Sequence, residues 1–303
     1  MTKQAMTIGL GALMLLGCGG DLPEATRLER TRVLGARVKV AADPGRADAQ
    51  AGEAATVEWI LAAPRAPGAL AWSFGLCTAI DGTCEGATAM AAEGNGAPVM
   101  VPFTMPSPID DVRRPLMLGA ICEGGAPGVG GDGLPTCGAG TTSANVARFQ
   151  LPDATGNRHP QFGDDAIEFE GTPWTAHATG DAGAPCDEAS GLPVVTADVD
   201  KEHRFRVITD ANDRESYTPA GATAPALEAL QMSSFSTEGE LSGQYTAVEP
   251  TDTRPDADLS GKWTTPAAKD VPPAGLTVHF HFVLRDGRGG LDITDRALCV
   301  RTP

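Results

Sequence analysis

Aromatic residues make up only 5% of the 303-residue chain, and it has only five histidines. The longest apolar run, Ala5 to Leu16, falls well short of the roughly 20 residues that a membrane-spanning helix needs. Basic residues are scarce, 23 against 39 acidic ones, which leaves a formal net charge of −16. Such a chain is repelled by nucleic-acid phosphates and does not adsorb broadly to anionic lipid. Cations are the one class of partner that its field attracts. His-Glu-x-x-His, Gly-x-Ser-x-Gly and a phosphate-binding loop are also missing, and the histidines lie too far apart in sequence to propose a triad. No catalysis is expected; a hydrolase whose triad assembles from distant residues is the enzyme alternative.

Glycine and proline are plentiful, at 37 and 24 residues, which argues for many turns and short strands rather than long helices. Short apolar or alternating runs follow one another at Val33 to Ala41, Ala55 to Ala63, Leu70 to Thr78, Pro98 to Thr104, Leu116 to Cys122 and Ala144 to Leu151. Each is bounded by turn residues, and strands at that spacing predict an antiparallel sandwich with Trp59 and Trp72 in its core. Further runs occur at Ala166 to Glu170, His203 to Thr209, Leu230 to Thr237, Gln244 to Val248, Leu276 to Arg285 and Leu298 to Arg301. In the longest, Val278, Phe280, Phe282 and Leu284 fall on one face and Thr277, His279, His281 and Arg285 on the other. That alternation is the best strand signal in the chain. Only Pro225 to Leu230 looks capable of a helical turn.

Leu15-Leu16-Gly17-Cys18, preceded by Lys3 and the apolar run, resembles the lipobox of bacterial lipoproteins. The resemblance implies cleavage before Cys18, acylation of its thiol and export. Residues 1–17 are then the signal peptide and 18–32 the lipidated cysteine with a polar tether bearing Arg27, Arg30 and Arg32. Gly19 lacks the acidic residue associated with inner-membrane retention, so the outer membrane is the expected address. The other six cysteines suit an oxidising compartment. Cys77 and Cys84 bracket the Asp81-Gly82 turn signal, and Cys122 and Cys137 bracket a Gly-rich loop. Closing a loop of that size stabilises by roughly 3 kcal/mol in the chain-entropy account. Cys186 and Cys299 are left for each other. No pair has the Cys-x-x-Cys spacing of a zinc site.

The ending Phe282 to Gly290, followed by Arg296-Ala297-Leu298-Cys299-Val300, resembles the closing hairpin of immunoglobulin-like domains of the PKD and cadherin-like kind. With the lipobox and the Val33-Leu34-Gly35 opening, the whole chain resembles Ala/Gly-rich lipoproteins of the myxobacterial type. That implies an all-β fold, two Ig-like antiparallel β-sandwich domains in tandem after a cleaved signal peptide, at residues 33–155 and 156–303. It carries no catalytic residues.

Three stretches could bind ligands. Gly128 to Gly133 matches the dinucleotide fingerprint letter for letter, but inside a disulfide loop rather than between a strand and a helix. Asp256-Ala257-Asp258-Leu259-Ser260-Gly261 has the first half of a Ca²⁺ loop, yet Ala267 stands where an EF-hand needs Glu; Asp210-Ala211-Asn212-Asp213 is similar to cadherin linkers. His279 and His281 can chelate a metal if a third ligand joins them, with His203 the candidate. The expectation is a lipid-anchored cell-envelope protein acting as a binding, adhesion or structural module without a resident cofactor. Its partners are the membrane, through the lipid, and an envelope protein or polysaccharide. A Ca²⁺- or metal-dependent module and an envelope hydrolase are the alternatives.

Overall fold

The computed structural model describes residues 25–80, 83–107, 114–131, 133–152, 156–163, 166–198, 201–209, 214–219, 222–252, 254 and 258–303. Cys18, Asp81-Gly82, Asp132, Asp210 to Asp213 and Asp256 lie outside them. The described chain is all-β: no α-helix occurs in it, and single 3-10 turns stand at Glu188–Ser190 and Ala268–Asp270.

The first half contributes β1 (Arg32–Val40), β2 (Ala54–Ala62), β3 (Leu70–Ile80), β4 (Thr83–Asn95), β5 (Val99–Thr104), β6 (Arg114–Glu123), β7 (Pro127–Val129), β8 (Pro135–Cys137) and β9 (Ser143–Gln150). One sheet runs β1-β2-β5 and the facing one β4-β3-β6-β9. Alternation aims Val38, Val57, Trp59 and Val101 inward against Phe74, Met117 and Ile121, with Trp59 stacked 4.6 Å from Phe74. Gly119 of β6 lies under the Phe74 ring: a β-carbon there would sit 2.2 Å from the ring and 2.3 Å from the Ser73 carbonyl oxygen. Backbone cannot yield as a side chain can. Gly119→Ala is therefore expected to cost about 3 kcal/mol, the upper end for an overpacked core. Gly128→Ala, which meets nothing within 4 Å, should change stability by less than about 0.5 kcal/mol. Equal denaturation midpoints for the two variants would refute the steric account.

The second half contributes β10 (Ile167–Phe169), β11 (Thr172–Pro173), β12 (Val194–Thr196), β13 (Glu202–Ile208), β14 (Ser216–Tyr217), β15 (Ala226–Leu227), β16 (Leu230–Ser236), β17 (Glu240–Leu241), β18 (Tyr245–Val248), β19 (Asp258–Thr264), β20 (Leu276–Arg285) and β21 (Leu291–Arg301). Its sheets run β12-β21-β20-β16-β18 and β11-β10-β13-β19-β17. Every pairing in them is antiparallel except β12 with β21. Phe280, Phe282 and Leu298 meet Phe205, Val207, Leu259 and Trp263 in a second core. Pro225 to Leu230, expected to be capable of a helical turn, instead holds β15 (Ala226–Leu227), paired with β14, and the first residue of β16.

The two cores are joined by a third apolar layer. Leu34, Ile60 and Ala62 of the first half pack on Phe235, Val283 and Leu291 of the second, with Leu28 between them. The four large sheets thus stack in sequence, and β2 and β20 are covered on both faces. The polar tether expected to reach Arg32 stops sooner than that. Leu28 is fully buried, its amide donates to Ser236 O, and Arg27 pairs with Glu238 at 2.8 Å. An apolar side chain at Leu28 gains more from the seam than from water.

Three disulfides join Cys77–Cys84, Cys122–Cys137 and Cys186–Cys299, the pairs that spacing and elimination suggested. Cys77–Cys84 closes the β3–β4 hairpin, where Ile80 faces Thr83. Cys122–Cys137 anchors the β7–β8 hairpin to β6.

Candidate binding cleft at the seam

The seam explains the histidines of β20. Opposite the core face, Thr277, His279 and His281 form what the sequence presents as a polar outer surface, but other chain covers it. Residues 176–184 cross the back of β20 and β21: Ala297 N donates to Ala176 O, Gly183 N to Thr277 O, and Thr277 N to Ala184 O. Beneath this crossing His279 is only 5% exposed. His281 stands directly across the strand pair from Asp295. The Asp295 carboxylate accepts the Ala178 amide at 2.8 Å and lies 3.2 Å from His177 Nδ1.

Burial disfavours the charged imidazoles most strongly. It pushes His281 down to about 4, against the attraction of Asp295 and with some repulsion from His279. His279 is lowered for the same first reason, opposed by Asp295 and Asp181 and by a backbone hydrogen bond at Thr179. Both rings are therefore neutral at neutral pH, the form that binds metals or accepts hydrogen bonds. Both Nε2 atoms are buried without a protein partner. Even so, no three His, Cys, Asp or Glu side chains among the described residues converge as a metal set. His203, expected as the third ligand, is held in the outer sheet of the second sandwich. Its ring lies 5.6 Å from Phe169 and 6.0 Å from Trp263, so the core separates it from the pair.

Beside His281 the seam opens into a cleft of about 480 Å³, which Trp59, Leu61, Pro98, Ile293, Thr294 and Asp295 help to line. Both halves contribute. The walls are mostly apolar, and His281, Thr294 and Asp295 supply polar groups at one side; the size suits a small ligand or an anchoring side chain. Neither serine nor cysteine lines it. A larger cleft of about 840 Å³ lies by Arg114, Glu215, Tyr217 and Arg288. There the charges already serve one another. Arg288 lies 4.5 Å over the Tyr217 ring and pairs with Glu215 and the buried Glu228. Burial, then Asp286, pushes Glu228 up to about 7 despite Arg288. A ligand in that cleft would have to displace these partners; in the seam cleft Asp295, Thr294 and Glu58 also have partners, whereas the His281 Nε2 has none in the protein.

The remaining sequence candidates are placed as follows. Asp258 and Ser260 belong to strand β19, not to a loop. Arg206 Nε lies 3.0 Å from Asp258 Oδ2, and Arg204 Nη2 lies 3.3 Å from Ser260 Oγ. Guanidinium groups thus already partner the Asp258 and Ser260 oxygens that a Ca²⁺ loop would turn toward its ion. Gly128 and Val129 belong to β7, and among the described residues between it and β8 no helix offers its N-terminus to a phosphate. Sequence reasoning missed the first-half wall of the seam cleft. Its one signal was the unbroken Trp59-Ile60-Leu61 run in an otherwise alternating strand, which marks burial on both faces. No protein-family model matches the chain, and no curated protein matches it either.

Proposed function

We propose that the chain is a lipid-anchored cell-envelope protein, held by acylated Cys18 and built as tandem Ig-like sandwiches. In this reading it works as a binding or adhesion module rather than an enzyme. The observation that carries the binding role is the seam cleft, an apolar recess lined from both halves that offers neutral His281 and Thr294 to a partner. An envelope protein inserting an apolar side chain, or a polysaccharide presenting its apolar sugar face, fits these walls. The Leu15 to Cys18 motif supports the anchor.

Two measurements on cells producing the full chain test this. Metabolic labelling with an alkynyl fatty acid should mark the wild type and leave Cys18→Ser unlabelled. A photo-crosslinking residue at Leu61, on the cleft wall, should give an adduct that one at exposed Val146 does not. Equal labelling of Cys18→Ser would remove the anchor. Indistinguishable adduct patterns at Leu61 and Val146 would remove the cleft as the binding surface.

A further inference from the structure

The segment linking the two sandwiches is fastened to both. On the first, Ala47 N donates to Asn157 O and His159 N to Gly45 O, while Arg158 pairs with Asp43 at 3.0 Å. On the second, Asn157 Nδ2 donates to Asp286 Oδ2 at 3.0 Å, and Phe162 N to Asp292 Oδ2 at 2.9 Å. One side chain spans the joint by itself. His159 Nε2 lies 2.7 Å from Val38 O of β1, and its Nδ1 accepts the Leu291 amide of β21 at 3.1 Å.

These partners fix the ring. A carbonyl oxygen can only accept, so Nε2 carries the hydrogen; an amide N–H can only donate, so Nδ1 carries the lone pair. The imidazole has one tautomer and no charge. Its protonation would place a second N–H against the Leu291 N–H, replacing a hydrogen bond with two opposed donors.

We propose that His159 is an acid-sensitive latch: adding a proton to Nδ1 breaks the Leu291 bond and loosens the joint, leaving the linking segment held to the second sandwich by the Asn157–Asp286 and Phe162–Asp292 hydrogen bonds. The charges facing the ring are Arg37 of β1, Asp286 of the turn after β20 and Asp292 of β21, with Arg158 adjacent in the chain. Burial lowers the pKa of His159 first, and Arg37 adds to it; the Val38 hydrogen bond, Asp286 and Asp292 oppose. The closed joint thus holds its proton more weakly than the open one. Closure is favoured above the ordinary histidine value of about 6.5. As pH falls from there toward the lowered value, the opening constant rises by up to about tenfold per pH unit, then levels off.

Hydrogen exchange of the Leu291 amide in the full chain between pH 5 and 8, corrected for intrinsic exchange chemistry, reads this directly. Opening should steepen below about 6.5 in the wild type and stay flat in His159→Asn, which keeps an acceptor near Nδ1 but cannot titrate. The wild-type imidazole ¹⁵N shifts should show a bare Nδ1 at neutral pH, a measurement that needs no variant. A flat wild-type profile, an equal slope in His159→Asn, or a hydrogen on Nδ1 at neutral pH would overturn the latch. None of these outcomes depends on acylation of Cys18 or on a ligand in the cleft.

Discussion

Replacing Cys186 and Cys299 together by alanine is expected to lower stability by about 4 to 5 kcal/mol, seen by calorimetry as a fall in Tm on the order of 10 °C. The bridge spans 113 positions of sequence. Without it the unfolded chain regains the freedom of that whole loop. In the folded state it fastens the end of the crossing segment that covers His279, where Gly183 and Ala184 bond to Thr277. The Cys77–Cys84 bridge spans only 7 positions, so the same relation gives about 2.5 kcal/mol for its loss. If removing either bridge lowered Tm equally, loop entropy would not be what the long bridge contributes.

Trp174→Ala is the second large effect, expected at about 3 to 5 kcal/mol. Trp174 is 1% exposed, with its ring 5.1 Å from both Phe169 and Phe280. Its Nε1–H donates to Ala297 O at 2.9 Å, which fixes the edge of β21 ahead of the crossing segment. Trp174→Phe keeps most of the apolar area and deletes the donor, so it should cost only about 1 to 2 kcal/mol. Urea midpoints that rank the two variants alike would mean that the cavity around the ring collapses without penalty.

The strands of both halves were unevenly legible. Leu276 to Arg285 was plain because strict alternation survives there, and β20 has those bounds. Two other strands were hidden for identifiable reasons. β4, Thr83–Asn95, is rich in Ala and Gly, so its two faces hardly differ in hydropathy. β19, Asp258–Thr264, opens with Asp-Leu-Ser-Gly, which reads as a turn until Arg204 and Arg206 are brought alongside to neutralise it. The disulfides were legible because loop length and turn position narrow the pairings. The site was legible in part: β20 announces the shared face of His279 and His281, yet nothing local announces that a second sandwich and a crossing segment cover that face. The same blindness made Thr26 to Thr31 look like free linker. Burial between distant segments leaves a mark in one sequence only where alternation fails, as at Trp59-Ile60-Leu61.

The seating of Leu28 at the seam has a mechanical meaning. Arg27 lies beside Ser236 in a parallel bridge, with hydrogen bonds running from Leu28 N to Ser236 O and from Ser236 N to Thr26 O. A pull on the chain ahead of Thr26 therefore meets the second sandwich before it reaches β1 of the first. The load divides between two bodies at their shared boundary, where Thr31 also bonds to Glu123 at 2.7 Å. Tension at the leading end draws on the fastening between the sandwiches before it can peel either of them open.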